Sequence, residues 1–149
     1  MNNAIANVSA TGIKVFLTAS HTFPAGFWVS AFADDRDPVG GDNTTVHETA
    51  MGPNGDLVFW GTPQPIPVRL GVINGSEEDE NLRILYHANR VAKNKASVKD
   101  IITLVIQYPD GRKVTCVNGV ITSGPAFPIA TSNARINGNE YGFAFENVI

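Results

Sequence analysis

The sequence predicts a mainly β protein with one α-helix, and three observations support this. Residues 98–121 contain a strand–turn–strand pattern. Only 17% of the residues are charged, while 14 Gly and 9 Pro supply many turn formers. Helical apolar periodicity occurs once, at residues 76–92. A chain of 149 residues favours one domain, residues 1–149, with a sizeable core.

The strand–turn–strand pattern at residues 98–121 is the strongest local signal. Side chains alternate from residue 101 to 108, so Ile102, Leu104 and Ile106 share one face and Thr103 lies on the other. The YPDG tetrapeptide at 108–111 then supplies Pro, Asp and Gly at successive turn positions. We therefore predict a β-hairpin whose first strand turns its Ile102 face to the core.

Five further stretches predict strands, at residues 11–19, 26–33, 57–60, 68–73 and 134–149. The first two are expected to pair, and the apolar strands are expected to hold Trp28 and Trp60. Asn-Gly pairs at 54, 74, 118 and 137 predict turns. Residues 1–10 are small and polar and predict an N-terminal arm.

The single helix is predicted over residues 76–92. Ser76 is a good N-cap, and four acids at 77–80 carry the charge that the helix N-terminus favours. Asp79 completes a variant of the capping box. Leu82 and Leu85 begin the apolar face, and Arg90, Lys93 and Lys95 follow near the C-terminal end, where the dipole favours cations.

Residues 34–56 predict a long polar loop. The segment has little apolar periodicity, although a short strand near residues 45–50 would make it an extended hairpin. Loops of this length are uncommon in compact domains and are usually functional or mobile. We expect it to serve assembly rather than the fold.

Composition and motifs argue against several function classes. The net charge of −3 gives no bulk electrostatic attraction to nucleic acid, and the single Cys116 is expected to be a buried hydrophobe. No membrane span or signal peptide is evident, so a cytoplasmic product is expected. The acids at 34–37 lack the spacing of a calcium loop, and the three His have no metal-like spacing. We expect no catalytic residue, metal or cofactor.

Several short motifs, taken in order, resemble tail tube proteins of contractile-tailed bacteriophages. They are TFPAGF at 22–27, FADDRDP at 32–38, MGPNGDL at 51–57, GSEEDENL at 75–82, YPDG at 108–111 and YGFAFEN at 141–147. No single motif is specific, but their order spans most of the chain. The resemblance implies an antiparallel β-sandwich or open barrel with one flanking helix.

The resemblance also implies a function, a location and partners. Subunits of that family form hexameric rings that stack into a hollow virion tail tube, which guides DNA without binding it specifically. A long loop bridges successive rings in that family, and the resemblance implies this role for residues 34–56. The implied partners are other copies of the chain, the tail sheath, the tape measure and baseplate or terminator proteins, with no membrane. Alternatives are a related ring, such as a terminator, tube initiator or baseplate hub, and a ligand-binding β-sandwich.

Charge is unevenly spread along the chain. Residues 34–56 carry six acids against Arg36 alone, whereas residues 83–99 carry five basic residues and no acid. Opposed patches of this kind could set the polarity of stacking, and two solvated faces would explain them equally well. The candidate assembly residues are Asp34, Asp35, Arg36, Asp37, Asp42, Glu48, Arg90, Lys93 and Lys95.

Overall fold

The computed structural model describes residues 8–132 and 134–149, so most of the predicted arm at 1–10 lies outside the described residues. Nine strands and one helix follow in the order β1 (Lys14–Ala19), β2 (Phe23–Val29), β3 (Val39–Gly40), β4 (Glu48–Met51), β5 (Leu57–Trp60), β6 (Ile66–Val72), α1 (Glu77–Asn89), β7 (Ile102–Gln107), β8 (Lys113–Ser123) and β9 (Asn139–Val148).

Seven of these strands form one antiparallel sheet in the order β2-β1-β7-β8-β9-β6-β3. Strands β4 and β5 pair only with each other, as a separate two-stranded sheet. The prediction of a mainly antiparallel β fold with one helix is confirmed. The large sheet is open, with β2 and β3 at its edges.

The predicted register of the central strand β7 is confirmed. Ile102 and Leu104 are fully buried and Ile106 is nearly so, whereas Thr103 and Val105 are only partly covered. The tight turn after β7 closes as predicted, with the Tyr108 amide donating to the Arg112 carbonyl at 2.9 Å. The alternation thus identified the core face correctly.

One hydrophobic core unites the sheet and the helix. It contains buried side chains from β1, β2, β6, β7, β8 and β9 together with Leu82 and Leu85 of α1. Tyr141, Phe143 and Phe145 of β9 are its largest members. Cys116 is buried, as expected, and burial raises the pKa of its thiol.

The helix begins as predicted and ends three residues earlier than residue 92. The Ser76 hydroxyl accepts from the Asp79 amide at 3.2 Å, the bond expected of an N-cap. At the other end Arg90 has an extended backbone, although its amide still donates to Tyr86. A tight turn joining Ala92 to Lys95 follows, with Asn94 in the left-handed region at φ 60°, so the apolar periodicity beyond Asn89 is not helical.

Asp79 is a buried structural residue as well as a member of the capping pattern. Its carboxylate accepts from the Asn139 amide at 2.7 Å, the Tyr141 hydroxyl at 3.0 Å and the Gly75 backbone N–H at 3.0 Å. Burial, and then the neighbouring Asp79 charge, raises the pKa of Tyr141. This network ties the start of α1 to the start of β9.

Ser76→Ala should lower the free energy of unfolding by roughly 0.5–2 kcal/mol, because it removes the side-chain acceptor at the helix N-terminus. Chemical denaturation monitored by circular dichroism measures this loss. Asn81→Ala is the control within the same helix. A greater loss for Asn81→Ala than for Ser76→Ala would contradict the assigned cap.

The Asn-Gly pair at 118–119 was predicted to form a turn and lies instead inside β8. Asn118 has φ 54°, and the register of β7 against β8 is irregular at this point. A Cβ on Gly119 would lie 2.2 Å from the Phe145 ring. The pair therefore forms a bulge where the backbone closely approaches a core aromatic.

Candidate assembly surfaces

The predicted loop at 34–56 divides into two parts, and its first part belongs to the fold. Val39 and Gly40 form β3, which pairs with Leu70 and Arg69 of β6. A Cβ on Gly71 would lie 2.5 Å from the Arg36 side chain, so this part packs tightly on the sheet. The expectation that all of 34–56 is separate from the fold is therefore corrected for residues 34–40.

Three candidate assembly residues in this first part bond within the chain. The Asp34 carboxylate pairs with the Arg135 guanidinium, whose hydrogen bond lowers the pKa of Asp34. Asp35 accepts from the Gly138 amide at 3.1 Å, and Arg36 Nε donates to the Gly138 carbonyl at 3.3 Å. These contacts hold the first part of the loop against the segment that precedes β9. Asp37 is exposed nearby.

The second part of the loop forms a protruding hairpin, defined here as residues 46–61. Its strands β4 and β5 pair Glu48 with Trp60 and Met51 with Leu57. Every residue of both strands is exposed. Among the described residues, no hydrogen bond joins the hairpin to any other part of the chain. The sequence correctly predicted a strand at 57–60, but it did not predict that this strand would lie outside the core.

The exposed side chains of the hairpin are unusually apolar. Exposed fractions are 65% for Met51, 64% for Leu57, 63% for Phe59, 51% for Val58 and 45% for Trp60. An isolated two-stranded hairpin is marginally stable in water, and contiguous exposed apolar surface marks interaction sites. We therefore expect another surface to cover the hairpin.

Acidic residues accompany these apolar side chains. Residues 41–65 contain Asp42, Glu48 and Asp56 and no Lys or Arg. Asp42, which precedes the hairpin, accepts from Arg69 at 3.1 Å, and this hydrogen bond lowers the pKa of Asp42. Glu48 and Asp56 have no such partner among the described residues.

The second candidate surface is the basic connector, defined here as residues 90–101 between α1 and β7. The Lys95 ammonium donates to the carbonyls of His87 and Arg90, so it caps the helix C-terminus. Arg90 and Lys93 are exposed. The structure therefore brings Arg90, Lys93 and Lys95 together in one short segment, and it assigns Lys95 a local role.

Asp100 anchors this connector to the sheet and was not singled out by the sequence. Its carboxylate accepts from the backbone amides of His21 and Thr22 at 2.8 and 3.0 Å, and from Asn89 at 2.8 Å. Burial alone would raise the pKa of Asp100, but the hydrogen bonds from Thr22, Asn89 and His21 hold it below its usual value. A depressed pKa stabilises the fold at neutral pH.

We expect acid to weaken the fold through Asp100. Because its folded pKa is lowered, its contribution is complete above the unfolded pKa of about 4 and is lost as pH falls through the folded value. Asp100→Asn should therefore reduce Tm at pH 7 and flatten its fall below about pH 4. Thermal melts across pH measure this, with Asp56→Asn at an exposed position without a salt bridge as control. An unchanged Tm for Asp100→Asn would contradict the anchor.

The two tryptophans are exposed rather than buried, contrary to the expectation from their apolar strands. Trp28 is 44% exposed and Trp60 is 45% exposed. Trp28 contacts Phe16, and the Lys14 ammonium lies 4.8 Å from the Trp28 ring. Trp28 and Trp60 lie in different sheets, and among the described residues no ring contact joins them.

Within residues 8–132 and 134–149, no group of three or more His, Cys, Asp or Glu is arranged to hold a metal ion. In the same residues, no helix is both long and apolar enough to cross a membrane.

Sequence comparison decides the family. The family described as tail fiber protein gp32 matches residues 6–149. The chain belongs to this family. The predicted likeness to tail proteins is thereby confirmed. No curated protein sequence matches this chain significantly.

Solved structures add a fold likeness. A chain of the 6-fold symmetrised anti-feeding prophage baseplate aligns with a TM-score of 0.58 and 10% identity, covering 98% of this chain and 95% of that chain. At this identity the likeness shows a shared fold alone.

Two further chains align less closely. One, from the sheath-tube complex of the PVC extracellular contractile injection system, has a TM-score of 0.46 and 22% identity, covering 91% and 86% of the two chains. The other, from the sheath/tube terminator of that system, has a TM-score of 0.48 and 20% identity, covering 98% of each. Scores below 0.5 support no inference.

Proposed function

We propose that this gp32-family protein is the major tail tube subunit, which forms hexameric rings that stack around a channel for DNA. The observation that carries the proposal is the hairpin at 46–61, whose exposed apolar strands find no cover within the described residues. Family membership supports a role in a tail. In this proposal the hairpin reaches a copy in the adjacent ring.

The open sheet supports ring formation. Strands β2 and β3 leave two edges, and free strand edges are an aggregation hazard unless a neighbour covers them. Contacts between non-identical surfaces close into rings or continue as filaments. In a tube, lateral contacts would close the ring, and the hairpin would join successive rings.

A second candidate is a ring in the baseplate, the kind of assembly in which a chain of shared fold, with a TM-score of 0.58, is found. Such a ring would use the same lateral contacts and would stack only once. Tube initiators and terminators would also form rings of limited length. The sheath, tape measure and neighbouring rings are the partners of either candidate.

Negative-stain electron microscopy of the purified protein distinguishes these candidates. Long hollow tubes of constant diameter support the major tube subunit. Single or paired rings that never lengthen would support the baseplate, initiator or terminator candidate. Slender fibres without a channel would contradict both ring-forming candidates and would favour a tail fiber, as the description of the family states.

The assembled protein should not retain DNA, since tight phosphate contacts would oppose passage through the channel. We therefore expect an acidic or neutral lumen, with the basic residues of 83–99 directed elsewhere, toward a sheath or the next ring. Filter binding of labelled DNA to assembled protein at several salt concentrations measures this. Tight binding that weakens steeply with salt would reveal a basic lumen and contradict the expectation.

A further inference from the structure

We propose that the hairpin of one copy docks on the basic connector of a second copy. Its apolar face would cover Val91, Val98 and Ile101, while Glu48 and Asp56 would face Lys93 and Lys99. This inference rests on the proposed function, because it names the surface that receives the hairpin in an assembly.

The hairpin presents a defined apolar face. Glu48 lies opposite Trp60 and Ala50 lies opposite Val58, so Glu48, Val58 and Trp60 share one side of the two-stranded sheet. On this side Val58 is 51% exposed and Trp60 is 45% exposed. Asp56 precedes β5 at the tip, and Glu48 begins β4. The hairpin therefore offers apolar area and negative charge together.

The basic connector offers the matching combination. Val91 is 71% exposed, Ile101 is 51% exposed and Val98 is 42% exposed. Lys93 and Lys99 are exposed and take part in none of the salt bridges found among the described residues. The connector's one acid, Asp100, is buried in its anchor, so the outward charge is positive.

Internal contacts hold the connector in shape before it meets a partner. Ala92 and Lys95 form a bridge, and the Val98 amide donates to the Ala88 carbonyl at 3.2 Å. Lys95 binds the helix carbonyls, and Asp100 binds the turn before β2. A preformed surface loses less entropy on binding than a mobile one.

A competing apolar patch is less suited to an acidic partner. Phe127, Ile129 and Ile136 are exposed near the end of the chain, but the neighbouring Arg135 already pairs with Asp34. Charge complementarity therefore selects the connector. The hairpin and the connector are different surfaces of the chain. Each copy can therefore dock its hairpin on one neighbour and bind the hairpin of another, so the stack of copies can continue.

A charge exchange between two variants tests the contact. Lys93→Glu with Lys99→Glu makes the connector acidic, and Glu48→Lys with Asp56→Lys makes the hairpin basic. Each double variant alone should need at least about tenfold more protein to reach half assembly, because like charges then face each other. A 1:1 mixture should assemble as the wild type does, since opposite charges then meet at every contact.

Sedimentation velocity and electron microscopy give the readout at low salt, where screening is weakest. Arg112→Glu with Lys113→Glu changes the net charge equally at a distant turn and should assemble normally. If wild-type tubes form and the connector variant forms them equally well, the inference is overturned and the tube function stands. If the mixture assembles into rings but not into tubes, the contact between hairpin and connector is supported and the proposed tube function is contradicted. Wild-type protein that never associates overturns both.

Discussion

Replacing residues 47–60 with a short Gly-Ser linker should abolish polymerisation and leave the domain folded. The hairpin strands contribute no residue to the core and no hydrogen bond to the rest of the described chain. A Cβ on Gly61 would lie 3.6 Å from the Val46 carbonyl, so the two ends are already close and a short linker closes without strain. Loss of the exposed apolar face removes the proposed contact between rings.

Circular dichroism and electron microscopy on the same sample measure both halves of this prediction. A matched variant that replaces residues 36–52 should instead lower Tm, because it removes β3 and the Arg36 bond to Gly138. Long tubes from the 47–60 variant would show that the hairpin is not the stacking contact. Failure of that variant to fold would place the hairpin in the structural core.

Leu104→Ala should lower the free energy of unfolding by roughly 2–5 kcal/mol. Leu104 is fully buried at the centre of β7, opposite Leu17 of β1 and Cys116 of β8, so truncation leaves a cavity that neighbouring strands cannot easily fill. Thr103→Ala, on the partly exposed face of the same strand, should cost about 0.5 kcal/mol or less.

Chemical denaturation of the two β7 variants gives the comparison. The substitutions share one strand, so position in the sheet is matched, and a large difference reports burial. Equal losses for Leu104→Ala and Thr103→Ala would contradict the observed register.

Local chemistry predicted the parts of the fold that depend on local sequence. Alternation identified the buried face of β7, and the Ser76 cap fixed the helix start. The helix end was harder to predict, because Ala92 continues the apolar spacing. In the structure Arg90 is already extended, and Lys95 caps the last carbonyls through a contact outside that pattern.

Long-range contacts account for what the sequence did not reveal. In the sequence Asp79 is recognisable only as part of the capping pattern. Its hydrogen bonds from Asn139 and Tyr141, which lie sixty or more positions away, depend on the fold. The strand at 57–60 is as apolar as a core strand, so composition alone could not predict its exposure. Arg36 and Asp35 bond to Gly138, which is why 34–40 belongs to the fold.

The candidate assembly residues divide in the same way. Asp34, Asp35, Arg36, Asp42 and Lys95 make contacts within the chain. Asp37, Glu48, Arg90 and Lys93 are exposed and take part in none of the salt bridges found among the described residues. Charge counting found both surfaces and could not tell which charges were already paired, since pairing depends on the fold.

A cryo-electron microscopy reconstruction of the assembled wild-type protein tests the central claim most directly. We predict six copies per ring, with each hairpin at 46–61 crossing to a copy in the adjacent ring. Hairpins that point into solvent, or that contact only copies of their own ring, would contradict the account.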